Sequence, residues 1–245
     1  MRDGCELCKY VGSGGDVVIP NGITNISISA FEKCTTIRSV VIPEGVTEIG
    51  IETFQGCTNL KKVVLSSTVK SLHYGAFSDC TSLENIDIPE GLEEIGWNAF
   101  SGCKALKDIV LPRSLKSISI GAFYCCESLT TVTIPDSVST LRMSAFARCR
   151  SLTTIELPKT LTCIEQDLFA NCQSLKNIDI PESVVQICEH AFEGCSSLKS
   201  IVLPQALQRI DTYAFQDCSG LKSITVPSSV TTLRGFSFKG CSSLE

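Results

Sequence analysis

The 245-residue sequence holds few of the residues that catalysis, membrane insertion or nucleic-acid binding require. It has two histidines and one tryptophan, and its 19% of charged residues leave a net charge of −5. No apolar run approaches the ~18 residues of a membrane-spanning helix, and no block of Lys and Arg offers a surface for nucleic acid. We therefore expect no nucleic-acid partner and no membrane insertion. The start, MRDGCELCKY, lacks the basic-then-apolar order of a signal peptide, which fits a cytosolic chain or one that begins after such a segment.

What the sequence does contain is one pattern repeated ten times. Cysteine returns every 23 residues, at positions 34, 57, 80, 103, 126, 149, 172, 195, 218 and 241. Phenylalanine stands three residues before each of these cysteines, and proline recurs with the same period except at Ser66. Ten copies in phase, without an insertion or deletion, predict a solenoid in which each coil buries its apolar side chains against the coils beside it.

One unit, PEGLEEIGWNAFSGCKALKDIVL at residues 89–111, predicts the path of a single coil. The segment LKDIVL predicts a β-strand with Ile109 and Leu111 inward, LEEIG a second short extended piece, and NAFSGC a helical turn. We expect a repeat solenoid, a leucine-rich-repeat-like right-handed coil with a parallel β-sheet and short helical turns. Residues 1–19 form the predicted N-terminal cap segment, and residues 20–245 form nine full repeats and a partial tenth.

The repeat also carries a family resemblance. The stretch LENIDIPEGL is similar to the leucine-rich repeat pattern LxxLxLxxNxL, with Gly91 in place of the usual Asn. The whole unit, IPxxVxxIGxxAFxxCxxLxxI, closely resembles the BspA-like leucine-rich repeats of bacterial and protozoan surface proteins, over about residues 14–245. The resemblance implies a curved, non-enzymatic module, at the cell surface or secreted, that serves adhesion or recognition of a protein partner such as a host or extracellular-matrix protein. An intracellular scaffold for protein assembly and, more weakly, a glycan-binding surface stay open as alternatives.

The repeat accounts for most of the fifteen cysteines. Ten occupy one row beside the phenylalanines, and because side chains in such a row point the same way, we expect free, buried thiols there. Cys5 and Cys8 form a single CxxC pair, which is half of a zinc site. Cys163 and Cys188 replace residues that are polar in most other repeats, and we interpret them as sequence drift. The sequence predicts no metal site and no cofactor.

The sequence also predicts no enzymatic activity. The two histidines, His73 and His190, stand five repeats apart, which at ~4.8 Å per coil separates them by ~24 Å and keeps them out of one catalytic centre. Without a nearby histidine, cysteine–histidine and serine–histidine–aspartate arrangements lack their base. Carboxylates such as Asp87 and Asp108 fall at outward positions, and we interpret them as part of a solvated surface, not as catalytic groups.

Two rows of variable positions are candidate binding surfaces, since variable positions of a solenoid form its exterior. One row lies on the outward face of the sheet formed by the main strands, a face that we expect to be concave. It includes Asp87, Asp108 and Thr133. The other row lies two residues before the alanine of the Ala-Phe pair and is apolar for six repeats before it turns polar. Its candidate residues are Ile51, Tyr74, Trp97, Ile120 and Met143. If this row faces water, it is an apolar interaction stripe; otherwise its side chains fold over the turn and complete the core.

The C-terminal sequence predicts an open end. The last residues, KGCSSLE, stop at Leu244, the first apolar residue of another strand, without the polar closing unit that exposed solenoid ends normally carry. We expect that the chain is a fragment of a longer repeat protein, or that it self-associates with another copy through this open C-terminal end.

Overall fold

The computed structural model describes residues 5–245, and it shows a β-solenoid of about ten coils, here called rungs. The predicted leucine-rich-repeat-like solenoid is confirmed. Each rung has three parts, which we call the long-strand side, the short-strand side and the turn side. Residues 1–4 of the predicted cap segment lie outside the described part of the chain, and the rest of that segment adds one strand to each of the first two sides.

The long-strand side is built from the segment whose alternating pattern predicts a strand. In the strand Asn85–Asp87, Ile86 is buried and its two neighbours are exposed, as a two-residue period requires. Neighbouring strands are parallel and shifted by one repeat, so that Lys62 lies opposite Asn85. The strands of this side are β2 Gly15–Val18, β4 Ile37–Val41, β6 Lys62–Val64, β8 Asn85–Asp87, β11 Thr131–Thr133 and β13 Thr154–Glu156.

The short-strand side consists of two-residue strands, each with an inward apolar residue such as Ile95 beside an outward residue such as Glu94. Its strands are β1 Glu6–Leu7, β3 Asn25–Ile26, β5 Glu48–Ile49, β7 Ser71–Leu72, β9 Glu94–Ile95, β10 Ser117–Ile118, β12 Thr140–Leu141, β14 Cys163–Ile164, β15 Gln186–Ile187, β16 Arg209–Ile210 and β17 Thr232–Leu233. All pair in parallel. They form three sheets: β1 with β3, then the five strands from β5 to β12, then the four from β14 to β17.

The turn side corrects one prediction, because the expected helical turns are wrong. Within residues 5–245 this side forms no helix. The N–H groups of Asn98, Phe100 and Gly102 donate to carbonyl oxygens of the following rung at 2.8–2.9 Å, and those of Ala99 and the residues like it donate three positions back in their own rung. An α-helix would send every N–H to the residue four positions back. The described chain accordingly holds no helix of the length and apolarity needed to cross a membrane.

Two left-handed residues in every rung explain why no helix forms there. Asn98 has a φ of 53° and Gly102 a φ of 73°, and the equivalent residues of every other rung also have positive φ. A right-handed helix needs negative φ throughout. Gly, Asn and Asp enter the left-handed region at the lowest cost, and they fill more than half of these positions. The backbone therefore reverses on either side of the Ala-Phe pair and presents its N–H groups to the next rung.

A ladder of phenylalanine rings forms the centre of the core. Phe100 and Phe123 are fully buried, with ring centroids 5.3 Å apart and ring planes 7° apart. From Phe31 to Phe238 neighbouring centroids lie 4.8–6.3 Å apart, and Tyr10 stacks on the first ring at 4.9 Å. Each ring is thus covered by the rings of the rungs before and after it, so that no rung has a complete core by itself.

The cysteine row beside the rings ties neighbouring rungs together. Sγ of Cys103 donates to the carbonyl oxygen of Phe77 in the preceding rung at 3.2 Å. The same bond recurs along the row from Cys57 to Cys241 at 3.0–3.2 Å. Burial raises the pKa of row thiols such as Cys126 and Cys195. These thiols therefore stay neutral and keep the proton that the hydrogen bond uses.

Candidate functional site

The corner where the short-strand side meets the turn side presents one residue from each rung. We call these positions the corner row: Ile28, Ile51, Tyr74, Trp97, Ile120, Met143, Gln166, Glu189, Thr212 and Gly235. The first six are large and apolar, and five of these are exposed, Trp97 by 56% and Tyr74 by 43%. Ile120 is half-buried. The first six positions of the row, which we call the apolar stripe, are thus exposed at five positions and half-buried at the sixth.

The local backbone explains why these side chains stay outside. Ile95 points inward from β9, and Gly96 lies so close to the preceding rung that a Cβ there would stand 2.6 Å from the carbonyl oxygen of Leu72. The positive φ of Asn98 then turns the chain, so that the following Ala-Phe pair enters the core. Trp97 is left on the outer side of this reversal, as are its equivalents in the other rungs.

The other sequence candidates lie on the long-strand side. Asp87, Asp108 and Thr133 are all exposed there. Asp108 and Thr133 line one cleft of about 420 Å³, together with Val110 and Arg113. The structure thus divides the candidate residues between two surfaces, three on the long-strand side and five in the corner row.

The last four rungs carry a different surface at the same corner. Their corner-row residues are polar or glycine. The adjacent left-handed position is Asp167 in the first of these rungs and bears an aromatic ring in the other three. His190, Tyr213 and Phe236 stack on one another, with ring centroids 5.0 and 5.5 Å apart. Sequence reasoning missed this second ladder, although its members stand 23 residues apart and a comparison of this column would have shown it.

A buried carboxylate organises the short-strand side of these last rungs. The side chain of Asp211 is only 11% exposed. Arg209 Nε donates to its Oδ1 at 2.7 Å, Gln186 Nε2 donates to its Oδ2 at 2.7 Å, and Arg234 Nε lies 3.1 Å from Oδ1. Three side chains from three successive rungs, two of them positively charged, therefore hold one carboxylate.

One group of side chains has the donor types of a metal site. Asp167, His190 and Glu193 each place a ligand-type atom within 4.8 Å of the others. Within this group, His190 Nδ1 lies 2.7 Å from Glu193 Oε2. Sequence reasoning predicted no metal site and did not compare these residues, although Asp167 stands one 23-residue period before His190.

Two cysteines outside the row, which we interpret from the sequence as drift, also contact each other. Sγ of Cys163 lies 3.1 Å from Sγ of Cys188. The hydrogen bond from the Cys163 thiol lowers the pKa of Cys188, while burial opposes this shift. The same contact raises the pKa of Cys163, with burial acting in the same direction. Cys188 is therefore the first of the two to become a thiolate.

Comparison with known proteins identifies relatives of this repeat and fold. The family model described as "BspA type Leucine rich repeat region" matches residues 8–129 and 116–245, with six copies. The chain is similar to the leucine rich repeat protein TpLRR of T. pallidum, with 32% identity, a TM-score of 0.61, and coverage of 80% of this chain and 84% of that one. No curated protein matches the chain.

Two further solved structures share the fold. One is a leucine-rich repeat protein from Eubacterium ventriosum, with 20% identity, a TM-score of 0.54, and coverage of 93% of this chain and 88% of that one. The other is the pneumococcal vaccine antigen PcpA, with 22% identity, a TM-score of 0.54, and coverage of 98% and 79%. Leucine-rich repeat solenoids are typically non-enzymatic scaffolds that bind proteins.

Proposed function

Because the chain belongs to the BspA-type leucine-rich repeat family, we propose that it is a non-enzymatic module that binds another protein through its apolar stripe. The observation that carries this proposal is the exposure of large apolar side chains in register along one corner of the solenoid. The constant positions of the rungs form the buried core cluster, and none of the stripe residues belongs to it.

The size and composition of the stripe suit a protein partner. Six rungs at ~4.8 Å spacing extend it over ~24 Å. Contiguous exposed apolar patches mark interaction sites, and Trp and Tyr near the centre of such a patch are typical anchors of binding energy. Tyr74 and Trp97 are the third and fourth of the six residues. A partner that covers both rings would desolvate the middle of the stripe, with Ile28 and Met143 at its ends.

We propose further that the module acts in adhesion or recognition at the cell surface. The resemblance to surface-protein repeats and the fold shared with the pneumococcal vaccine antigen PcpA support this location. The alternative is an intracellular scaffold for protein assembly. Surface biotinylation of intact source cells separates the two: labelling of this protein supports the surface proposal, and labelling only after lysis favours the scaffold.

The binding proposal is tested by removing both central aromatic side chains. In Tyr74→Ala/Trp97→Ala we expect unchanged far-UV circular dichroism and at least tenfold weaker binding to those members of a panel of immobilised matrix proteins (fibronectin, laminin and collagen) that bind the wild type. The matched control, Gln166→Ala/Thr212→Ala, changes the same row in the polar rungs and should bind like the wild type. Equal binding by both variants, or no binding of the wild type to any member, would contradict the proposal of a matrix-binding stripe.

The same variants discriminate a glycan-binding surface. Trp97 stands beside the amide of Asn98, and an aromatic face next to an amide is also suited to sugars. A glycan array probed with the wild type and with Tyr74→Ala/Trp97→Ala decides this point. Hits that disappear in the variant would favour sugar recognition over the protein partner proposed here.

The predicted self-association remains a proposal. In the last rung, which begins with β17, the side chains of Leu233 and Phe236 are 54% and 63% exposed. These side chains would be covered if a second copy stacked on this end. Sedimentation velocity over a range of concentrations tests this: a dimer that dissociates in Leu233→Asp/Phe236→Asp supports stacking at this end, and a monomeric wild type contradicts it.

A further inference from the structure

The short-strand side brings together residues that stand 25 positions apart. Cys163 in β14 lies opposite Gln186 of β15, and Cys188 follows two residues later, with its N–H donating to the carbonyl oxygen of Ile164 at 2.9 Å. Both cysteines point outward, because the residues that alternate with them are buried. This diagonal contact recurs twice elsewhere on the same side, between Glu48 and His73 at 2.9 Å and between Gln186 and Asp211 at 2.7 Å. The backbone geometry, repeated from rung to rung, therefore produces the contact between the two sulfurs.

The two sulfurs are close enough to react with each other. Their 3.1 Å separation is ~1 Å longer than a disulfide bond of ~2.05 Å. Both side chains are only half-buried, so a small reagent can reach them. The cysteine row beside the phenylalanines differs in both accessibility and hydrogen bonding. Cys57 to Cys218 in that row are buried, and each thiol donates a hydrogen bond to a backbone carbonyl oxygen of the preceding rung.

Charged neighbours surround the pair. Glu165 and Asp211 oppose ionisation of both sulfurs, and Arg209 favours the Cys188 thiolate. Asp211 is itself engaged by Arg209 and Arg234, which reduces its repulsion of a thiolate. The strongest influence on Cys188 is the hydrogen bond from Cys163, so the pair provides one nucleophilic sulfur and one neighbouring thiol that can resolve a mixed disulfide.

We propose that Cys163 and Cys188 are a reversible thiol–disulfide site whose co-reactant is a low-molecular-weight disulfide such as oxidised glutathione. The Cys188 thiolate attacks one sulfur of oxidised glutathione; the glutathione S–S bond breaks, and one glutathione thiolate leaves and takes up a proton. Cys163, after losing its proton to solvent, attacks Sγ of Cys188 in the mixed disulfide, and the second glutathione thiolate leaves. Two protein thiols are oxidised by two electrons, and these electrons reduce one glutathione disulfide to two thiols.

Closure of this disulfide would join two neighbouring rungs of the four-stranded sheet β14–β17. Cys188 also lines a cleft with Arg209, Asp211 and Arg234. Met143, the last residue of the apolar stripe, lines the same cleft, so the site lies where the stripe meets the polar rungs. The proposal concerns thiol chemistry and goes beyond the proposed binding function.

Mass spectrometry tests the proposal directly. The fully reduced protein is incubated with oxidised glutathione, quenched with acid, and mapped by peptide fragmentation. We expect wild-type protein to lose about 2 Da at this pair, because two hydrogen atoms leave, and to show a Cys163–Cys188 cross-linked peptide without retained glutathione. In Cys163→Ser the resolving thiol is gone, so Cys188 should retain one glutathione, a gain of about 305 Da.

The chain itself provides well-matched controls. Serine stands at the position of Cys163 in two other rungs, Ser71 and Ser117, and at the position of Cys188 in two others, Ser27 and Ser119. Serine variants should therefore fold like the wild type. Cys125→Ser, which removes a half-buried thiol on the turn side, should leave the cross-link unchanged. Stable glutathione adducts on both cysteines of the wild type, or two unmodified cysteines, would overturn the proposal.

Discussion

At the corner row, the first six rungs and the last four differ in surface chemistry although their cores are alike. The first six present the apolar stripe, with Trp97 and Tyr74 in its middle. The last four present polar residues or glycine in that row, and the last three of these rungs carry stacked aromatic rings, from His190 to Phe236, one position later. The phenylalanine ladder and the cysteine row pass through both regions. One scaffold thus carries two surfaces, because the core and the corner are set by different positions of the repeat.

The boundary between the two regions is also visible in the packing. The step from Phe146 to Phe169 is the widest of the ring ladder, at 6.3 Å, and the short-strand sheets separate at the same place, between β12 and β14. Leu168 is buried there at a position where most rungs have alanine. A larger side chain beside the ladder holds the two rings further apart. The change of surface therefore coincides with the widest step of the ring ladder.

The largest expected effect separates core from corner within one rung. Phe100→Ala should lower the free energy of unfolding by about 3–5 kcal/mol, because it opens a cavity in the ring ladder. Trp97→Ala, three residues earlier, should cost less than about 1 kcal/mol because its side chain is largely in water. Urea unfolding followed by far-UV circular dichroism measures both. Equal losses would mean that the stripe belongs to the core.

The next prediction compares polar contacts in the two regions. Asp211→Ala should destabilise the last rungs by about 2–3 kcal/mol, because it removes a carboxylate that accepts from charged donors in a buried place. Glu48→Ala removes a carboxylate from the exposed pair with His73 and should cost less than about 0.5 kcal/mol. If the urea midpoints of both variants shift by the same amount, the buried Asp211 contacts stabilise the fold no more than the exposed Glu48–His73 pair does.

A third prediction tests the left-handed positions of the turn side. Asn98→Val should cost about 1–2 kcal/mol, since a β-branched residue at a φ of 53° is strained. Asn98→Gly should stay within about 0.5 kcal/mol of the wild type, because glycine adopts positive φ freely. Thermal unfolding of the two variants gives the comparison, and a valine variant as stable as the glycine variant would argue against the left-handed turn.

The smallest expected effect concerns the second aromatic ladder. Tyr213→Asn keeps a residue that tolerates positive φ but removes the ring stacked between His190 and Phe236. The loss should be about 0.5–1.5 kcal/mol. Thr212→Asn, at the neighbouring half-buried corner position, should change the free energy of unfolding by less than about 0.5 kcal/mol. If the two variants unfold at the same urea concentration, the stacked rings do not stabilise the last rungs.

Sequence reasoning reached the ladders because the repeat itself encodes them. With Phe100 and Phe123 one period apart and no insertion between them, stacking of identical positions is the arrangement that buries them. The prediction of a helical turn on the turn side was wrong for a physical reason. The hydrogen-bond partners of Asn98, Phe100 and Gly102 lie in the next rung, 22 residues along the chain, and a local reading of NAFSGC does not contain them.

The candidate surfaces were predictable to different degrees. Membership of Trp97 in an apolar row followed from the period, whereas its exposure depends on the reversal at Asn98. The contact between Cys163 and Cys188 was hidden because their spacing of 25 residues is not a multiple of the repeat, so a comparison of columns places them in different rows. Diagonal contacts of this kind require the outward direction of both side chains, which only the backbone supplies.

The most direct test of the account uses the fluorescence of Trp97, the one tryptophan of the chain. Acrylamide quenching is measured for the folded protein alone and in complex with the matrix protein that it binds. We predict strong quenching in the free protein, since the ring stands in water, and protection in the complex, since the partner covers the stripe. A tryptophan already protected in the free protein, or equally quenched in both states, would contradict the claim that the apolar stripe is an open recognition surface.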